Sequence, residues 1–151
     1  MANSETTRVI PLNGTFRHRQ SVAFDELDAL WVMHHANQVK AIERAHHAFF
    51  LELLGADAFD PDRYEDLYVV VRNIDANFHI PIRGVTDIII ELKITRVREA
   101  GLSVAFSVCS VDGSLIHTSG ERIICRMSAR THQPCGWTPA FRQAAEAWYA
   151  Q

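Results

Sequence analysis

The stretch ANQVKAIERAHHAFFLELL, Ala36 to Leu54, decides how the rest of the chain is read. Val39, Ile42, His46, Phe49, Phe50 and Leu53 recur at three- and four-residue spacing, which lines one face of an α-helix. Ala41, Ala45 and Ala48 keep neighbouring positions small, so another layer can approach closely. Gly55 follows as a stop, because glycine takes the left-handed conformation past a helix end at no steric cost. The predicted helix spans roughly 28 Å at 1.5 Å per residue. No other segment predicts a helix of that length.

On the C-terminal side the pattern changes to strands. Residues 56–66 form an acidic, turn-rich connection with Pro61. Leu67 to Ile80 reads as a strand, broken by Pro81 and Gly84. In Thr86 to Arg98, Ile88, Ile90, Leu92 and Ile94 alternate with Ile89, Glu91, Lys93 and Thr95, the period of a strand. Leu102 to Val111 and Ser114 to Met127 follow, and Asp112-Gly113 between them is a two-residue hairpin signal. Thr138-Pro139 pairs an N-cap with a proline at the first helical position, opening a short helix from Ala140 to Ala150. On the N-terminal side, Thr15 to Phe24 reads as a strand with Phe16, Val22 and Phe24 on one parity. Residues 1–13 read as a flexible arm. The order is strand, loop, long helix, four strands and a short helix, an α+β arrangement of one antiparallel sheet beside one long helix. The domain boundaries expected are 1–13 for the arm, 14–130 for the sheet-and-helix domain and 131–151 for a C-terminal extension.

Composition narrows the function. The 151 residues are 48% hydrophobic and 22% charged, enough for one core and too apolar for long disorder. A net charge of -3 without a basic stripe argues against a nucleic-acid partner. The longest apolar runs fall far short of the roughly 20 residues that span a bilayer, so no membrane partner is expected. Met1 to Thr7 is polar and predicts no secretory signal. Cys109, Cys125 and Cys135 are odd in number and form no CxxC pair, which predicts reduced thiols in a cytoplasmic protein.

The chemistry concentrates between Phe24 and Arg44. Asp28 precedes His35 by seven residues, and His35 stands at the mouth of the long helix. A helix N-terminus presents unpaired backbone N–H groups and a positive dipole end, which stabilise a developing oxyanion. A carboxylate beside them attacks a carbonyl carbon or deprotonates a water. Leu30, Trp31, Val32 and Met33 are large and apolar, suited to walling an acyl group. This is a plan for acyl transfer to water. Asp25 and Glu26 read as solvated loop carboxylates, and His34 as packing. Glu43 and His46 stand one helical turn apart, but a metal site needs three or four convergent ligands, so no metal is expected.

Phe24-Asp25-Glu26-Leu27-Asp28-Ala29, then His35-Ala36-Asn37, then Glu43-Arg44-Ala45 together resemble the 4-hydroxybenzoyl-CoA thioesterase family, including its YbgC-like branch. Phe78-His79-Ile80-Pro81, Gly84 and Asp87 are similar to that family's second landmark, and the resemblance runs from about Phe16 to Met127. It implies a hotdog fold, a five-stranded antiparallel sheet wrapped around the long helix. It implies Asp28 as nucleophile or general base and the backbone N–H of His35 as the donor that polarises the thioester carbonyl. Asn37 stands at the family's Asn or Ser position. Leu30, Trp31, Val32 and Asn37 are the expected substrate-binding residues, with Leu30 and Trp31 standing where the family carries glycine. Arg96 and Arg98 are the candidate contacts to the thioester carrier, coenzyme A or an acyl carrier protein as in polyketide pathways. No cofactor is implied. A homodimer or homotetramer is implied, with Val71 and Asn73 reaching the site from a partner subunit. Two other readings stay open: a hotdog dehydratase of β-hydroxyacyl thioesters, using His79 or His35 with Asp28, and a non-catalytic acyl-thioester binder.

Overall fold

A computed structural model describes residues 14–149 of the chain, so the expected N-terminal arm lies outside the described residues. Five strands, β1 (Thr15–Ser21), β2 (Val69–Phe78), β3 (Asp87–Val97), β4 (Gly101–Ser110) and β5 (Ile116–Arg126), form one antiparallel sheet in the order β1-β3-β4-β5-β2. Helix α1 (His35–Leu54) enters between β1 and β2, and α2 (Pro139–Tyr149) closes the described chain. The long helix lies on one face of the sheet, which is the hotdog arrangement expected.

The alternation predicted for β3 sets the two faces. Ile88, Ile90, Leu92 and Ile94 are buried toward the helices, and across the ladder they stand with Val104, Phe106 and Val108 of β4. Gln38 of α1 meets Thr118 of β5, and Phe49 of α1 stacks on Phe16 of β1 at 4.9 Å. The helix thus crosses from one edge of the sheet toward the other. It ends at Gly55, whose φ of 61° is the left-handed cap the sequence predicted. Helix α2 fills the rest of the same layer: Phe141, Ala145 and Trp148 join the core cluster, and Trp148 packs edge-on against Phe49 at 5.0 Å. Thr138 caps α2, accepting from the Phe141 N–H at 3.3 Å, while its own N–H donates to buried Asp66 at 2.9 Å.

Two ion pairs tie the layers together. Arg122 of β5 donates two hydrogen bonds, each of 2.8 Å, to Glu43 of α1. Arg126 reaches Glu65 at 2.9 Å and also donates to the Gly136 carbonyl, holding the tail against the sheet end. Cys109 and Cys125 are buried and Cys135 is half-buried, all as free thiols.

Three local expectations change. The first strand stops at Ser21, and Phe24 lies exposed in a 3₁₀ turn from Phe24 to Glu26. The chain bends there because the Glu26 carboxylate accepts from the Ala23 N–H at 2.7 Å. The β4–β5 connection is not a two-residue turn. Only Gly113 has positive φ in it, whereas the two-residue turn with Asp-Gly needs two such residues. Instead the Ser110 N–H donates to the Leu115 carbonyl at 3.0 Å, and the Asp112 carboxylate accepts from Ser110 Oγ, Ser114 N and Ser114 Oγ inside the loop. That set of bonds holds the Asp112 carboxyl down to about 2. His34, read as packing, is the N-cap of α1: its Nδ1 accepts from the Ala36 N–H at 3.2 Å.

Candidate active site

Residues 26 to 34 fold into a tight hairpin-like loop. The His34 N–H donates to the Glu26 carbonyl at 3.1 Å, Leu27 bridges Met33, and the Asp28 N–H donates to the Val32 carbonyl at 2.8 Å. Asp28 therefore stands at the tip, opposite Val32 and seven residues before the start of α1. Its Oδ1 accepts from the Leu30 N–H at 2.8 Å and from the Val32 N–H at 3.4 Å. This is the turn-forming role that aspartate commonly takes. It leaves Oδ2 without a hydrogen bond among the described residues, on a carboxylate held in a set orientation and only half-buried. One oxygen builds the loop and the other is left unengaged among the described residues.

The start of α1 is asymmetric in its hydrogen bonding. The Ala36 N–H is taken by the His34 ring, and the Asn37 and Gln38 N–H groups both donate to the His34 carbonyl. The His35 N–H is the one donor of the first turn with no partner among the described residues. It lies at the positive end of a twenty-residue helix. The His35 ring is exposed and meets Phe78 of β2 edge-on at 6.1 Å. Asn37, expected to bind substrate, donates its side-chain N–H to the Glu26 carbonyl at 3.1 Å. That bond ties the Asp28 loop to the helix.

The apolar residues of the loop divide. Met33 is buried in the core, and Val32 is half-buried and bridged to Arg83. Leu30 and Trp31 remain largely exposed beside Asp28. The Trp31 indole meets exposed Phe24 edge-on at 5.6 Å.

A bulge decides where the expected β2 residues point. Val71 pairs with Ile124 and Asn73 with Ile123, so Arg72 is an extra residue in the strand. Side chains alternate along a strand, and one inserted residue reverses the parity. Val71 therefore shares the helix-facing side with Ile124, while Asn73 faces away from the helices with Ile123. The structure does not bring these two together. It brings Asn73 to Arg98: both line a hollow of about 580 Å³ on the outer face, together with Arg72 and Pro134. Arg98 donates there to buried Ser103 at 2.8 Å. A second bulge, at Thr95, turns Arg96 to the same face as Ser103. Arg72 was not singled out in the sequence, since nothing in the sequence marks a bulge at that position.

The remaining candidates separate from Asp28. Glu43 is engaged by Arg122. His46 is buried with its Nδ1 on the Ile42 carbonyl at 2.8 Å, and burial foremost, then the charge of Arg122, holds its pKa down to about 3. His79 hydrogen-bonds Ser119 at 2.7 Å. Ser119 pairs with Ser107 on the outer face, one residue along from helix-facing Thr118.

A family model for the thioesterase superfamily matches residues 31–117, more than half of the chain. The match includes His35, Asn37 and Glu43 and begins three residues after Asp28. No curated protein matches the chain in sequence. Among solved structures, a hypothetical protein from Staphylococcus aureus in complex with CoA superposes with a TM-score of 0.82 at 15% identity, covering 90% of this chain and 84% of that one. A 1,4-dihydroxy-2-naphthoyl-CoA thioesterase from Synechocystis gives 0.75 at 10% identity, covering 87% and 96%. A thioesterase from Thermus thermophilus complexed with coenzyme A and Zn gives 0.74 at 19% identity, covering 91% and 96%. These likenesses agree on the fold. With the matched family model, they establish that the chain belongs to the thioesterase superfamily, whose chemistry is thioester hydrolysis.

Proposed function

We propose that this chain hydrolyses an acyl thioester of coenzyme A or of an acyl carrier protein, with Asp28 as the reacting carboxylate. One observation carries the reading. The loop from Glu26 to His34 presents a carboxylate oxygen without a partner among the described residues, next to a helix start whose single unengaged donor among them is the His35 N–H. The thioester carbonyl oxygen sits on that N–H, where the helix dipole favours the charge that builds up as the carbon becomes tetrahedral. Asp28 attacks the carbonyl carbon to form a mixed anhydride, or takes a proton from the attacking water. The thiolate leaves as the carbonyl re-forms, and on the anhydride route water then cleaves the acyl–Asp28 bond to release the acid and restore the carboxylate. Leu30, Trp31 and Val32 wall the acyl group. The outer hollow with Arg72, Asn73 and Arg98 is offered to the phosphate end of the carrier, with Arg96 on the same face.

The site is completed by a second copy of the chain. Among the described residues strand β2 ends the sheet with one side unpaired, and Val70, Val71, Ile74 and Phe78 are exposed along it. Such an apolar edge is a template for pairing with an equivalent strand. A two-fold pairing there brings the partner's β2 toward the Asp28 loop, since Phe78 already touches the His35 ring within one chain. The form of the dehydratase reading that uses His79 gains no support, because His79 sits on Ser119 at the other face, which leaves only His35 beside Asp28 for it.

Thiol release from a panel of acyl-CoA and acyl-carrier-protein thioesters tests the proposal. Asp28→Asn is expected to lower kcat at least about a hundredfold, the lower end of what a positioned acid or base contributes. A folded Asp28→Asn variant that releases thiol at the wild-type rate refutes the assignment. A wild type that binds these thioesters without releasing thiol is a binder.

A further inference from the structure

Trp31 occupies a backbone conformation that works against it. Its φ is 64°, in the left-handed region, where a bulky side chain is an outlier. The loop imposes that conformation. The Trp31 N–H donates to the Asp28 carbonyl at 3.0 Å, and the Trp31 carbonyl accepts from the Gly84 N–H at 3.0 Å. Val32 is bridged to Arg83 on the same connection. Glycine would meet these constraints without strain.

Core burial does not account for the tryptophan. Trp137 and Trp148 are core residues, 7% and 4% exposed, whereas Trp31 is 54% exposed. The indole lies across Gly84, itself at φ 70°, where an added Cβ would come within 3.4 Å of the indole Nε1. Two conformationally special residues thus meet to lay an exposed indole beside the turn whose amides orient Asp28. Strain that persists in a side chain whose contacts, Phe24 and Gly84, both lie outside the core points to a function there.

The structure assigns Trp31 as a specificity-determining residue: its indole shortens the acyl subsite next to Asp28 and restricts the enzyme to short acyl chains. This rests on the thioesterase reading. On this assignment the exposed indole stands where a longer chain would extend past Asp28, and each methylene buried once it is removed would strengthen binding severalfold. Trp31 is thereby retained against the backbone's preference for glycine.

The test compares wild type, Trp31→Gly and Trp31→Phe on straight-chain acyl-CoA thioesters from two to twelve carbons, with thermal unfolding of each. Trp31→Gly is expected to move the optimum to longer chains and to raise the kcat/KM ratio of octanoyl to butyryl thioester about tenfold, worth two methylenes or fewer. Its Tm is expected to stay at or above the wild-type value, because the strain is released. Trp31→Phe is expected to keep the wild-type order of substrates. A merely structural tryptophan predicts the reverse: a lower Tm, with all chain lengths slowed alike. That result, or an unchanged ratio while hydrolysis remains Asp28-dependent, overturns the inference and leaves the thioesterase reading standing. Absence of hydrolysis of any thioester by the wild type overturns both.

Discussion

The pair between Glu43 and Arg122 predicts an unequal response to losing either partner. The Arg122 side chain is 5% exposed and the Glu43 side chain 32%. Replacing Glu43 by glutamine keeps the shape but leaves a guanidinium enclosed between α1 and β5 without a counter-charge. Removing one partner of a buried pair in this way costs about 3 kcal/mol, the lower end of the usual range, because glutamine still accepts one hydrogen bond. Replacing Arg122 by methionine leaves a carboxylate that water reaches, and a smaller loss of about 1.5 kcal/mol is expected. The double variant removes both charges, so it is expected to be more stable than the two single losses added together by about 2 kcal/mol. Urea unfolding of the four proteins at one fixed concentration measures this, since self-association would otherwise shift the midpoints. For a domain of this size the Glu43→Gln loss corresponds to a Tm lower by roughly 6–12 °C. If Arg122→Met costs as much as Glu43→Gln, or if the two losses simply add, the argument from unequal burial fails.

Two further substitutions are expected to act through the same layer of the fold. Gly120 in β5 faces the helices between β2 and β4, and a Cβ there would lie 1.8 Å from the Asp75 carbonyl oxygen and 2.8 Å from the Phe106 ring. Gly120→Ala is therefore expected to destabilise by about 3 kcal/mol, read by denaturant midpoint, and a loss under about 1 kcal/mol would show that the strand yields easily. His46 binds its proton far more weakly folded, at about 3, than unfolded, at the ordinary imidazole value of 6.5. Its contribution is thus present above 6.5 and is lost as pH falls through that window, with a slope of up to about 1.4 kcal/mol per pH unit. His46→Leu is expected to remove that slope, and a stability profile from pH 7 to pH 4 unchanged by the substitution would show that other groups set it.

Much of the fold is legible in the chain because its periodicities are local. The stripe from Ile42 to Leu53, the stop at Gly55 and the cap at Thr138-Pro139 each depend on residues within a few positions, whereas Val39 lies off the buried face, where Gln38 stands instead. The alternation of β3 survives in the structure because one face is buried under the helices, which makes a register slip costly. The errors fall where a distant or side-chain contact overrides the local pattern. Phe24 keeps the parity of β1, yet the Glu26 carboxylate closes a turn on Ala23 and leaves Phe24 exposed. Asp112-Gly113 has the composition of a tight turn, yet the Asp112 carboxylate gathers both flanking serines and widens the loop.

The candidate site shows the same division. By itself the sequence determined that a carboxylate precedes a helix start by seven residues and that large apolar side chains lie between them, since both are matters of spacing. Only the tertiary structure decided that Asp28 uses one oxygen to build its own loop, that Asn37 ties that loop to α1, and that the His35 N–H is the donor left unengaged among the described residues. It also decided that Val71 and Asn73, two apart in sequence, face opposite sides of the sheet. The physical reason is shared by all of these. Hydrogen-bond partners and strand register are settled by which groups meet across the fold, and a bulge or a strained residue such as Trp31 arises only where two segments constrain each other.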